Sequence, residues 1–169
     1  MQKYAALLRA VNVGGTGKLP MADLRALCEG LGFEAPKTLL ASGNVVFRAN
    51  ETPRDIRSKL ESALADYAGK PVGVFVLDED QMQRVHDEHP FADHPPSQCG
   101  ILFADHLPTP EEITAAKGLK DEELATGSLT LYIKYPNGMG QSKLHAPGAD
   151  QGTMRNFNTV VKLLGLLKD

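Results

Sequence analysis

The sequence has no tryptophan and only two cysteines in 169 residues. Two thiols cannot form the disulfide framework of a small secreted scaffold. Cys28 lies among Leu24, Leu27 and Leu31, the setting of a buried free thiol. Cys99 sits in an apolar run with no basic neighbour to lower its pKa. No apolar stretch approaches the roughly 18 residues of a membrane span. The opening MQKYAALLRAVN has a short apolar run followed by a Gly-rich turn, unlike a signal peptide. A cytoplasmic protein with no membrane association is expected. Basic charge is not in excess, with a net charge of −3 and a pI near 5.9. A dedicated nucleic-acid binder shows a basic domain or stripe, so the overall balance argues against one. The composition also excludes collagen, coiled coil and a long disordered tail.

What is present is an ordinary globular profile, 42% hydrophobic and 23% charged. A chain of this length buries roughly 70% of its unfolded surface and needs no metal or disulfide to fold. The charge is unevenly spread. Residues 1–25 carry four basic residues and one acid, and residues 134–169 carry five basic residues and two acids. Residues 50–133 carry seven basic residues and sixteen acids. Two positive ends on an acidic body would make a locally positive site if they met.

Hydrophobic periodicity orders the elements. Lys3–Arg9 reads as a buried strand and residues 12–19 as a Gly-rich loop. A helix follows from Pro20 with Met21, Leu24, Leu27, Cys28 and Leu31 on one face. Lys37–Ala41 and Val45–Arg48 read as strands joined by a tight turn at Ser42-Gly43-Asn44. Thr52 caps a second helix carrying Ile56, Leu60, Ala63, Leu64 and Tyr67, and Gly69 stops it. Val72–Leu77 is a further strand. This β-α-β-β-α-β order is the ferredoxin-like, split-βαβ unit.

A short connector helix from Asp78 leads to a second series. Strands are expected at Cys99–Ala104, Glu123–Ala125 and Leu129–Lys134, with a helix opening at Thr109-Pro110-Glu111-Glu112. Residues 136–152 read as a long loop. Thr153 is expected to cap a final helix with Met154, Phe157, Val160, Val161 and Leu164 on its apolar stripe. The second series is then one strand short. Leu40–Phe47 and Leu124–Leu131 share a Leu-Ala-hydroxyl-Gly-polar-apolar-x-apolar pattern at equivalent hairpins, which points to internal duplication. The expected fold class is therefore α+β: two ferredoxin-like (α/β-plait) subdomains at 1–78 and 98–169, joined by a connector at 79–97.

Topology then suggests a site. In a split-βαβ unit the loop after the first strand and the hairpin after the second lie at one end of the sheet. That places Arg9, Asn12, Gly14, Gly15 and Lys18 near Ser42, Gly43 and Asn44. Glycines admit close backbone approach, a helix N-terminus favours anions, and Arg9 and Lys18 add charge. The competing reading is plain turn geometry. A second polar stretch carries Ser142, Lys143, Arg155 and Asn156, within or beside a loop long enough to be functional.

Known motifs do not account for the loop. A Walker A loop needs glycine where Asn12 stands and a hydroxyl where Leu19 stands. The dinucleotide pattern fails because Gly14 and Gly15 are adjacent and the element order is not doubly wound. Asn44–Arg48 offers one aromatic where an RNA-recognition strand has several. His86, His89 and His94 have only loose metal-ligand spacing, so neither metal nor cofactor is expected.

Met1–Phe47, with its LLRAVNVGG, KLPMADLR and SGNVVF segments, resembles the bacterial family named domain of unknown function 1697. Tyr135-Pro136, Ser142-Lys143-Leu144 and Thr153–Val160 are similar to its C-terminal pattern. Ala10 and Val11 replace its usual Gly-Ile. The resemblance implies two plait-like subdomains and no particular reaction. Its emphasis falls on Arg9, Asn12, Gly14, Gly15, Ser42, Gly43, Asn44, Ser142, Lys143, Arg155 and Asn156. The expected function is binding of a small anion such as a nucleotide or phosphorylated metabolite. An enzyme acting on such a substrate, or a protein or RNA interaction module, is the alternative.

Overall fold

The computed structural model describes residues 1–12 and 18–169. The expected apolar runs pair into two four-stranded antiparallel sheets, accompanied by helices, which makes the chain α+β. The first sheet holds β1 (Gln2–Leu8), β2 (Glu34–Leu39), β3 (Asn44–Ala49) and β4 (Val74–Asp78) in the order β2-β3-β1-β4. β1 pairs antiparallel with both β3 and β4, and β2 pairs antiparallel with β3. β1 and β2 therefore run the same way. Their C-terminal ends share one end of the sheet with the starts of β3 and β4.

Helices α1 (Met21–Gly30) and α2 (Pro53–Ala68) belong to this sheet's unit. The Thr52 hydroxyl accepts from the Asp55 N–H at 3.2 Å, and Pro53 supplies a pre-set φ in the first turn. Gly69, at φ 71°, ends α2 in the left-handed conformation that glycine adopts without a Cβ clash. Ile56, Leu60 and Leu64 are buried on one face of α2, as are Leu24 and Cys28 on α1. They pack into one core with Tyr4, Ala6, Leu8, Val45 and Phe47. Phe33 stacks on Phe47 at 4.6 Å.

The second sheet holds β5 (Cys99–Phe103), β6 (Glu123–Thr126), β7 (Thr130–Lys134) and β8 (Thr153–Asn156) in the order β6-β7-β5-β8. Helix α3 (Glu79–Asp87) precedes it. Helix α4 (Pro110–Thr114) opens with a full capping box between Thr109 and Glu112. Helix α5 (Phe157–Lys168) closes the chain.

Three expectations for this half are corrected. Thr153 does not cap a helix. It begins β8, paired with Phe103, and the strand alternates buried Thr153 and Arg155 with half-buried Met154 and Asn156. The cap is Asn156, whose Oδ1 accepts from the Thr159 N–H at 3.1 Å. The second series is thus not short of a strand. The 135–152 stretch carries the chain from β7 to β8 with no α-helix between them. Val161, assigned to the apolar stripe, is 45% exposed.

Two compact units result. The first comprises Met1–Met82 with Leu163–Asp169, and the second comprises Gln83–Lys162. The expected connector at 79–97 is divided between them. Among the described residues, no helix is long and apolar enough to cross a membrane. Both cysteines are buried and free, and burial pushes the Cys28 thiol up to about 12.

Candidate functional site: a cationic cavity at one end of the first sheet

The end of the sheet where β1 and β2 stop is tied together by backbone and amide hydrogen bonds. The Leu8 N–H donates to the Gly43 carbonyl at 2.8 Å. Asn12 Nδ2 donates to the Ala41 carbonyl at 2.7 Å and to the Leu19 carbonyl at 2.9 Å, while Asn12 Oδ1 accepts from the Leu19 N–H at 2.7 Å. Asn44 is fully buried, and its Nδ2 donates to the Leu39 carbonyl at 2.7 Å and to Ser42 Oγ at 3.1 Å. The two asparagines hold the β1 loop and the β2–β3 hairpin in register. Gly14 and Gly15 lie outside the described residues.

Among the described residues here, three other than glycine have positive φ: Ala10 at 56°, Asn12 at 55° and Leu40 at 62°. Asparagine tolerates this region, whereas alanine and leucine are strained in it. Such strain concentrates at functional sites. Ala10 holds a backbone conformation that glycine would adopt without strain.

Beside this hairpin lies a cavity of about 410 Å³, formed wholly within the first unit. Arg9 comes from the end of β1, Lys18 from the approach to α1, and Lys70 from the turn after α2. Among the described residues, no carboxylate lines it. Buried Val11, Leu19, Leu64 and Val72 supply apolar wall. Among the described residues, neither Lys18 nor Lys70 makes an ion pair. Tyr67 also lines the cavity, and its hydroxyl donates to Asp23 Oδ2 at 2.6 Å. That hydrogen bond is the main cause of the raised Tyr67 pKa.

Sequence reasoning placed Arg9 and Lys18 together but missed Tyr67 and Lys70. Tyr67 was assigned to the apolar stripe of α2, yet it is 44% exposed. The missing signal is topological. β4 runs antiparallel to β1, so the segment entering β4 must meet the segment leaving β1. The Arg9 N–H accordingly donates to the Gly73 carbonyl at 2.9 Å.

The second unit holds the remaining expected residues. Ser142 and Lys143 line a cavity of about 340 Å³ with Lys120, Glu122 and Tyr135. Ser142 Oγ donates to Glu122 Oε2 at 2.5 Å and accepts from the Leu144 N–H at 3.1 Å. The Ser142 hydroxyl, followed by the Lys120 N–H, holds the Glu122 carboxyl below its usual range. Arg155 and Asn156 do not line this cavity. Arg155 is buried on β8, where its guanidinium donates to Thr153 Oγ1 at 2.6 Å and to the Met154 carbonyl at 3.0 Å. Burial lowers its pKa to about 10.

The histidines have local roles. His89 stacks on Phe157 at 4.1 Å, His86 pairs with Asp87 at 3.0 Å, and His94 Nε2 lies 3.1 Å from the Tyr135 carbonyl. Among the described residues no group of three or more His, Cys, Asp or Glu is arranged to hold a metal ion.

Comparison with known proteins places the chain without naming a reaction. A conserved bacterial protein from Streptococcus pneumoniae has a similar structure, with a TM-score of 0.81 and 26% identity over 98% of each chain. No curated protein matches the sequence. The model of the family described as "Protein of unknown function (DUF1697)" matches residues 1–132. The chain belongs to that family.

Proposed function

We propose that this chain binds a small anionic molecule, a nucleotide or a phosphorylated metabolite, in the cavity bordered by Arg9, Lys18 and Lys70. One observation carries the reading: among the described residues, three cations and no carboxylate line a pocket that also has an apolar wall. A cavity with one sign of charge concentrates counter-ions, and apolar walls with a few convergent charges are typical of ligand sites. Asn12, Ser42 and Asn44 contribute by fixing the loop and hairpin beside it, and Gly14 and Gly15 belong to the same loop in sequence.

Thermal unfolding against a panel of nucleotides and phosphorylated sugars tests the proposal. A ligand at a hundred times its Kd stabilises the native state by about 2.7 kcal/mol. For a chain of this size that raises Tm by roughly 5–10 °C. Absence of any shift with anionic ligands sinks the reading.

A second reading, an enzyme acting on a phosphorylated or nucleotide substrate, is favoured by Ser142 and Glu122 in the cavity that also holds Lys120 and Lys143. A hydroxyl beside a carboxylate has the arrangement of a nucleophile and its base. Turnover of phosphoesters that disappears in Ser142→Ala would support it, and turnover unchanged in that variant would remove it.

The same proposal takes the two units as ferredoxin-like duplicates. Their matching strand orders and the shared hairpin pattern at Leu40–Phe47 and Leu124–Leu131 support that reading. A cytoplasmic location rests on the two free, buried thiols.

A further inference from the structure

We infer that the preferred ligands of the cationic cavity are phosphate monoesters with a flat or apolar body, nucleoside monophosphates among them, and not bare inorganic anions. The inference rests on the anion reading above and specifies its chemistry. Two features of one cavity carry it, the set of cations and the uncharged wall.

Arg9, Lys18 and Lys70 line the cavity; among the described residues Lys18 and Lys70 make no ion pair, and no carboxylate joins the lining. A monoester phosphate carries about −1.5 to −2 at neutral pH and three acceptor oxygens. That matches such a set better than a single carboxylate does. The two lysines act as mobile point charges for its oxygens.

The wall sets the rest of the ligand. Val11, Leu19, Leu64 and Val72 are each under a tenth exposed and reach the cavity. In front of them the exposed uncharged lining at Ala10, Ala68 and Pro71 would stay in contact with water if a bare phosphate were held by the cations. An organic body removes it from water, which is favourable in proportion to the area covered. Tyr67 adds an aromatic surface. Its hydroxyl is committed to Asp23, which is not part of the lining, so the ring is fixed without adding a charge to the site. At about 410 Å³ the cavity has room for more than a phosphate, and falls within the roughly 300–1,000 Å³ usual for small-molecule sites.

Isothermal titration of the full chain at low salt with adenosine 5′-monophosphate, phenyl phosphate, adenosine and inorganic phosphate tests this. The expected result is that both monoesters bind at least about tenfold tighter than inorganic phosphate and than adenosine. Lys18→Gln and Lys70→Gln, both at exposed positions, each weaken monoester binding several-fold. Tyr67→Ala narrows the gap between phenyl phosphate and inorganic phosphate. Equal affinity for inorganic phosphate and the monoesters overturns the inference and leaves the anion site standing. Equal affinity for adenosine and its monophosphate overturns the anion reading as well, as does binding by none of the four.

Discussion

Asn12 and Leu19 exchange two hydrogen bonds across the β1 loop, Leu19 N–H to Asn12 Oδ1 at 2.7 Å and Asn12 Nδ2 to the Leu19 carbonyl at 2.9 Å. One side chain thereby closes the loop and, through the Ala41 carbonyl, fastens it to the neighbouring hairpin. Asn12→Ala leaves three backbone groups without this partner and places alanine at φ 55°. The expected loss is about 1–3 kcal/mol of stability, measured by urea unfolding. Ligand affinity is expected to fall with it, because Lys18 adjoins the clamp.

Ala10 gives the opposite expectation. At φ 56° it occupies a region that costs a residue with a Cβ about 1–2 kcal/mol. Ala10→Gly relieves that strain but frees the unfolded chain by about 0.4–1 kcal/mol. The net expectation is a gain of about 0.5–1 kcal/mol, read as a higher urea midpoint at unchanged slope. A lower midpoint would show that the left-handed alanine is not strained.

Gly43 has the least room of the hairpin residues. At φ 92°, a Cβ there would lie 2.6 Å from Val11 Cγ2 and 3.0 Å from Leu8 Cβ. Gly43→Ala therefore combines backbone strain with overpacking, for an expected loss of about 2–4 kcal/mol. The variant should also bind ligand more weakly, since Val11 forms part of the cavity wall. Differential scanning calorimetry and titration of the same sample separate the two effects.

His89 sets a pH dependence. Among the described residues its Nδ1 is buried without a partner, and desolvation, followed by the charge of His86, lowers its pKa from the ordinary 6.5. The folded state therefore favours neutral His89, while the unfolded state takes up a proton as pH falls below 6.5. Stability falls as pH drops from there and levels off for this group once pH passes its folded-state value. Unfolding free energies of the chain and of His89→Gln between pH 8 and 5 should converge as the pH falls. Parallel curves would show that His89 does not contribute.

Much of the first sheet is legible from the sequence because its signals are local. Thr52-Pro53 and Gly69 bracket α2, and Ser42-Gly43-Asn44 marks the hairpin. The edge strand β2 is less so. It starts at Glu34 and shifts register before Lys37, with Ala35 at φ 51°, and no local pattern announces such an irregularity. β8 is hidden for a different reason. Thr153–Asn156 is too short to display alternation, and it runs directly into α5, whose helical period dominates the window. The cavity is half legible. Arg9 and Lys18 flank a recognisable loop, while Tyr67 and Lys70 arrive through β1–β4 pairing, a contact more than sixty residues apart in sequence.

The division of the chain has a consequence for its synthesis. All four strands of the first unit lie before residue 79, yet Leu163–Asp169 belongs to that unit, with Leu163 and Leu167 buried. A unit whose strands are made early is therefore joined by a segment made after the second unit. A nascent chain must carry the first unit, with its sheet complete but without residues 163–169, through translation of the whole second unit. Removing residues 163–169 should accordingly be felt in the first unit, whose strands all precede residue 79.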